Sequence, residues 1–240
     1  DSVGKWIVED LRREGLDTSG VLFRKGFRSP TSVILVEGGR RTICEPWQTD
    51  LPLTLDELHA RGVRVEHCRY LLLDARLPEL QTEAARRVRS AGGRVVLDCG
   101  HPRPGVDEIL RLTDIAILSQ SYPRAVHGDG YEPGEFLSNL MDRLPKDGPR
   151  IVGLTLGSAG CVVRTPETAL LSIPGHPVEA LDSTGAGDVF HGAFIHALLS
   201  GESPESAARF ANAAAALKCL GLTGRFPLPP EKEIRQLARI

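Results

Sequence analysis

From residue 69 onward the chain alternates short apolar runs with longer segments of helical period, and this rhythm restricts it to few folds. The runs are Tyr70-Leu71-Leu72-Leu73, Val95-Val96-Leu97, Ile115-Ala116-Ile117-Leu118 and Ile151-Val152-Gly153-Leu154-Thr155-Leu156. Each is too short for a stable helix and apolar on consecutive positions, so both of its faces must be covered. Between them lies a helical pattern at 78–91, with Leu80, Ala84, Ala85 and Val88 on one face and Gly92-Gly93 as its stop. Shorter helices are expected at 105–112, 122–127 and 134–143. Strands separated by helices run parallel, so the reading is an α/β fold with a mainly parallel, fully covered sheet and the 70–73 run buried in it. Cys161-Val162-Val163 and Ala169-Leu170-Leu171 read as a later hairpin. Helices at 188–200 and 204–219 and a short one at the end complete the pattern.

The first third obeys a different rule. Val3, Ile7 and Leu11 share a helical face flanked by Trp6, and Gly15 stops that helix. The chain enters this pattern directly at Asp1, which gives the expectation that its beginning has been lost. Residues 21–45 are β-branched and alternating, around Gly38-Gly39, and predict a hairpin outside the strand–helix rhythm: a small sheet attached to the main body. An isolated sheet of that size leaves an apolar face exposed, so pairing of two chains through it is expected.

Charge and cysteine content narrow the function classes. The net charge of -2 points to neither nucleic acid nor an anionic membrane, and no apolar run approaches the roughly 20 residues of a membrane span. Cys44, Cys68, Cys99, Cys161 and Cys219 are odd in number and far apart. They suit a reducing cytoplasm better than a disulfide framework or a zinc site.

One segment carries chemistry. Asp182-Ser183-Thr184-Gly185-Ala186-Gly187-Asp188 leads straight into a helix whose face holds Val189, Phe190, Ala193, Phe194, Ala197 and Leu198, with Gly201 as its stop. A helix N-terminus presents free N–H groups and roughly +0.5 of a charge to an anion. Small residues at 185–187 let a phosphate approach the backbone. Asp188, in the first turn, then stands beside that phosphate as a base for an attacking hydroxyl. The carboxylate and carbonyls of the polar lead-in suit a hard cation. A lone aspartate after a glycine turn is more commonly a helix cap; the lead-in and the apolar helix set this one apart.

This segment resembles the C-terminal signature of the ribokinase-like (PfkB-type) carbohydrate kinases, and the resemblance spans essentially the whole chain. Ser29-Pro30-Thr31-Ser32 and Arg40-Arg41-Thr42-Ile43 are similar to the lid strands of the ketohexokinase branch. Leu154-Thr155-Leu156-Gly157-Ser158-Ala159-Gly160 resembles the nucleotide strand and turn. Phe210 to Cys219 followed by Gly221-Leu222-Thr223-Gly224 resembles the adenine helix and the ketohexokinase-like ending.

The resemblance implies a three-layer sandwich over residues 1–240 with a β lid at about 21–45, and transfer of the ATP γ-phosphate to a sugar hydroxyl. A ketose such as fructose or sulfofructose is the first choice; ribose, a nucleoside or a sugar phosphate are alternatives. It makes Asp188 the general base and Gly185, Ala186 and Gly187 the anion hole. Arg76, Ser119, Thr155, Gly157, Gly160 and Asn212 fall along ATP, with Mg²⁺ on its phosphates. Asp182 and Thr184 match positions around a monovalent cation, K⁺. Two departures bear on this. Ser119-Gln120-Ser121 replaces an Asn and Glu that serve the Mg²⁺ waters, and the family's N-terminal sugar-binding Asp and Gly-Gly…Asn element are not in the sequence. The rival reading is a non-catalytic nucleotide-binding fragment or pseudokinase.

Other candidates read more plainly. Gly157-Ser158-Ala159-Gly160 lacks the Gly-Lys-Ser/Thr of a P-loop and joins two strands, unlike a dinucleotide fingerprint. His191 and His196 are spaced poorly for a metal and read as core or edge histidines. Arg86, Arg87 and Arg89 read as a solvated helix face.

Overall fold

A computed structural model of the chain describes residues 1–37, 40–44, 53–147, 150–224 and 228–240. In order the elements are α1 (Ser2–Arg13), β1 (Val33–Glu37), β2 (Arg40–Cys44), α2 (Leu55–Ala60), β3 (Tyr70–Leu73), α3 (Pro78–Ser90), β4 (Arg94–Cys99), α4 (Val106–Leu110) and β5 (Ile115–Ser119). Then come α5 (Ser121–His127), α6 (Pro133–Arg143), β6 (Ile151–Thr155), β7 (Gly160–Arg164), β8 (Leu171–Pro174), α7 (Ala186–Leu199), α8 (Pro204–Lys218) and α9 (Glu231–Ala238). Strands β3 to β8 form one sheet in sequence order, parallel from β3 to β6 and antiparallel through β7 and β8.

The alternation along each strand explains the layers. Val95, Leu97 and Cys99 of β4, with Ala116 and Leu118 of β5, point to the side of α3, α4 and α6, where they pack with Ala84, Val88, Ile109, Leu137 and Leu140. Val96, Ile115 and Ile117 point to the other side, against Phe190, Phe194, Ala207, Ala211 and Ile234 of α7, α8 and α9. Two apolar cores on one sheet make the three-layer sandwich that the both-faces-apolar runs predict.

Three expectations change. The Tyr70–Leu73 strand is not buried: β3 is an edge of the sheet, and Leu72 is 43% exposed. The hairpin is shorter than 21–45, with β1 and β2 pairing antiparallel from Val33↔Cys44 to Glu37↔Arg40; residues 21–32, including 29–32, contain no strand. Its Gly38-Gly39 turn and residue 45 lie outside the described residues. The strand expected at 169–171 begins only at Leu171. Asp1 caps α1, accepting from the Gly4 N–H at 2.8 Å, and its other oxygen accepts from the Ser29 N–H, also at 2.8 Å, which ties the helix to the segment that enters the hairpin.

A charged knot closes the end of the sheet remote from the signature. Asp114 is fully buried, accepting from the Val95 N–H at 2.8 Å and from Arg89 at 2.6 Å, with Arg94 at 3.4 Å. Arg89 is therefore not part of a solvated face: its side chain is 13% exposed and also pairs with the outlying Asp147. Removing one member of a buried pair strands the other, at about 3–5 kcal/mol, whereas an exposed partner contributes under about 1 kcal/mol. Urea unfolding should accordingly show Asp114→Ala losing about 3–5 kcal/mol and Asp147→Ala less than about 1; equal losses would mean that the knot is not what holds this edge.

Candidate active site

The C-terminal ends of the parallel strands gather most of the sequence-singled residues, as expected for an open α/β sheet. Ser119 and Thr155 end β5 and β6 and are register partners. The Gln120 N–H donates to the Thr155 carbonyl at 3.0 Å, and Ser119 Oγ accepts from the Ser121 N–H at 3.3 Å. A 3₁₀ turn over Gly157–Ala159 follows β6, between glycines of positive φ, Gly157 at 62° and Gly160 at 97°. A Cβ on Gly160 would run into the backbone of Ile173–Gly175, so this turn requires glycine. Asn212, nearly buried in α8, donates to the Pro174 carbonyl at 2.8 Å. That contact borders a cleft of about 760 Å³ lined by Gly175, His176, Pro177, Arg209, Leu217 and Leu237; none of the described residues 182–188 lines it.

The signature is folded as a tight entry to α7. Asp182 is 4% exposed, its Oδ1 accepting from the Thr184 N–H at 2.8 Å and its Oδ2 from the Thr223 N–H at 3.0 Å. Burial pushes this carboxyl up, but the hydrogen bonds from Thr184 and Thr223 and the charge of Lys218 prevail and hold it below the usual carboxylate value. The N–H groups of Leu181 and Asp182 both donate to the Cys219 carbonyl at the end of α8, at 2.8 and 3.3 Å. Gly185 is the N-cap of α7 with φ at 76°, and a Cβ there would overlap the Gly224 carbonyl. Gly187 has no such restriction: nothing lies within 4 Å of where its Cβ would stand, which leaves the space over the first turn open to a ligand. The Ala186 N–H turns back to the Ser183 carbonyl at 3.2 Å, while the N–H groups of Gly187 and Asp188, in the first turn, have no intrahelical acceptor. Asp188 is exposed at this opening.

His191, one turn further, is the residue that sequence reasoning undervalued. It is buried, as a core histidine should be, with Nδ1 at 2.8 Å from the Gly187 carbonyl and Nε2 at 2.9 Å from the Ile117 carbonyl of β5. Asp98 of β4 lies 3.3 Å from Nδ1. The imidazole therefore stitches the start of α7 to β5 and β4. Burial pushes Asp98 up; His191 opposes this, while Asp188 and Asp74 reinforce it, so three carboxylates and one imidazole influence one another at this edge.

Arg76 and the hairpin meet the site differently. The residues after β3 turn sharply, with Ala75 at φ 58°, and Arg76 pairs with Asp74 at 3.5 Å. Arg76 lines a separate cleft with Thr54, Pro78 and Glu83, not the opening at Asp188. Arg41 of β2, which the sequence marked only as part of the lid, donates to the Ser183 carbonyl and lies 3.4 Å from Ser183 Oγ. The lid thus reaches the signature directly.

A helix N-terminus and an exposed carboxylate thus stand together at one edge of a mainly parallel sheet. Residues 1–230 match the pfkB family carbohydrate kinase description, and the chain belongs to that family of kinases acting on sugar hydroxyls. Ribokinase of Haemophilus influenzae is 26% identical over 244 residues, covering 97% of this chain and 76% of its own. Ketohexokinase of Mus musculus is 26% identical over 238 residues, covering 92% and 76%. A ribokinase II candidate from E. coli, solved with ATP and Mg²⁺, shares the fold with a TM-score of 0.84 at 19% identity, over 100% of this chain and 80% of its own. No helix among the described residues is long and apolar enough to cross a membrane.

The two signature glycines should respond differently to a methyl group. Gly185→Ala meets both positive φ and the Gly224 backbone, a strain of about 1–3 kcal/mol before any overlap is counted. It should lower the melting temperature markedly, whereas Gly187→Ala should melt at or slightly above the parent. Equal melting of the two variants would show that the turn at Gly185 is not constrained as described.

Proposed function

We propose that the chain transfers the γ-phosphate of ATP to a hydroxyl of a ketose or related sugar, with Asp188 as general base. The observation that carries this is the exposed carboxylate in the first turn of α7, directly after a glycine-bounded turn, at the C-terminal edge of the sheet. There Asp188 takes the hydroxyl proton as the oxygen attacks. The Gly187 amide, which has no intrahelical acceptor, and the helix dipole receive the charge on the transferred phosphate, while the Ala186 N–H is held by the Ser183 carbonyl. Ser119, Thr155, Gly157, Gly160 and Asn212 line the nucleotide, with its base toward the cleft beside Pro174 and Pro177. Arg76 stands outside this arrangement, beside Asp74 in its own cleft.

Mg²⁺, when bound with ATP, neutralises phosphate charge. Among the described residues no group of three or more His, Cys, Asp or Glu is placed to hold a metal. Asp98 and Asp74 are the carboxylates at that edge. Five free cysteines suit a cytoplasmic setting. A ketose is preferred to ribose on the resemblance of Arg40–Ile43 in β2 and of the Gly221–Gly224 ending; a non-catalytic nucleotide binder is the second reading.

Asp188→Asn should bind ATP like the parent by calorimetry and lose about 10²–10⁴-fold in ADP release with a panel of ketoses and ribose. Turnover near that of the parent would remove Asp188 from the role of base. The hairpin presents Val33, Leu35 and Ile43 to solvent at 60%, 63% and 44%. We assign it to a homodimer, so Leu35→Lys should shift a sedimentation boundary from dimer to monomer; an unchanged boundary would discard the assignment.

A further inference from the structure

Lys218, in the last turn of α8, has no access to solvent at all. Its ammonium donates to the Asp182 carbonyl at 3.0 Å. Ala211, Ala213 and Ala214 of the same helix are buried too, and an uncharged Met at 218 would avoid the desolvation that a buried ammonium suffers. The carbonyls that end α8 make that helix terminus negative and supply part of the compensation. What the charge organises is visible around it. Both carboxylate oxygens of Asp182 hold backbone N–H groups, of Thr184 and of Thr223, and the Leu181 and Asp182 N–H groups hold the Cys219 carbonyl next to Lys218. The entrance to the signature and the end of α8 are one hydrogen-bonded unit with an ammonium inside it.

Each Asp182 carboxylate oxygen accepts one backbone N–H, and Thr184 Oγ1 is buried with no hydrogen-bond partner among the described residues. The Asp182 carbonyl already faces the Lys218 ammonium, which would repel a second cation placed beside it. We propose that the Lys218 ammonium is the built-in cation of the signature loop, a positioning residue that fixes the Asp182 carbonyl and hence the 183–187 turn, so that no free monovalent ion is needed to form the γ-phosphate site. The role in catalysis rests on the kinase reading of this loop; the role in binding does not.

The test uses the full chain in KCl, NaCl and choline chloride at equal ionic strength. ATP and ADP affinities are measured by calorimetry with Mg²⁺ present, and sugar phosphorylation is measured alongside. The parent should give the same ATP affinity and the same rate in all three salts. Lys218→Met, measured well below its melting temperature, should lose about tenfold or more in ATP affinity while ADP, which has no γ-phosphate, binds as before. A lysine that only props up the fold would weaken both nucleotides together. The proposal is overturned if K⁺ raises ATP affinity or rate in the parent over choline, or if Lys218→Met keeps the parent's preference for ATP over ADP. Should that variant not fold, the salt comparison on the parent decides. A chain that binds ATP alike in all salts but phosphorylates no sugar would remove the kinase reading and leave the binding role of Lys218 standing.

Discussion

The left-handed turn at Gly185, seated under the Gly224 carbonyl, sets the direction of α7, and the direction of α7 makes the site. With a side chain there the turn could not close, and the helix would not start where the parallel strands end. Because it does start there, its free first-turn amides, its dipole and Asp188 share one opening. The turn is held from outside by contacts distant in sequence: the end of α8 through the Cys219 carbonyl, His191 through the Ile117 carbonyl, and Arg41 of the lid through the Ser183 carbonyl.

Polar and charged groups at this edge stand in contact pair by pair. Asp98 stands against His191, Arg76 against Asp74, and Lys218 lies beneath Asp182. Asp188 is left exposed, which suits a group that must accept a proton from an incoming hydroxyl.

What the sequence disclosed follows from the range of each cause. The strands of the sheet were legible because coverage on both faces forces consecutive apolar residues. The signature was legible because its glycines, its acid and its helix are adjacent. Edge and centre could not be told apart: Leu71 and Leu72 are as apolar as Val95 and Val96, and only the strand order makes β3 an edge. Helix α2 was passed over although Thr54 and Glu57 form a capping box, a local signal that could have found it. Arg89 was misread, and the partners of His191 and Lys218 went unseen, for one reason. Their partners Asp114, Ile117 and Asp182 lie 25, 74 and 36 residues away, beyond any periodicity.

The central claim is that this site moves a phosphoryl group rather than merely holding a nucleotide. Phosphorus NMR of the purified chain with ATP, Mg²⁺ and a single ketose follows both products at once. Phosphoryl transfer requires a sugar phosphomonoester to grow in step with ADP, and neither to appear when the sugar is omitted. Intact ATP throughout, in a chain that calorimetry shows to be saturated with nucleotide, would contradict it.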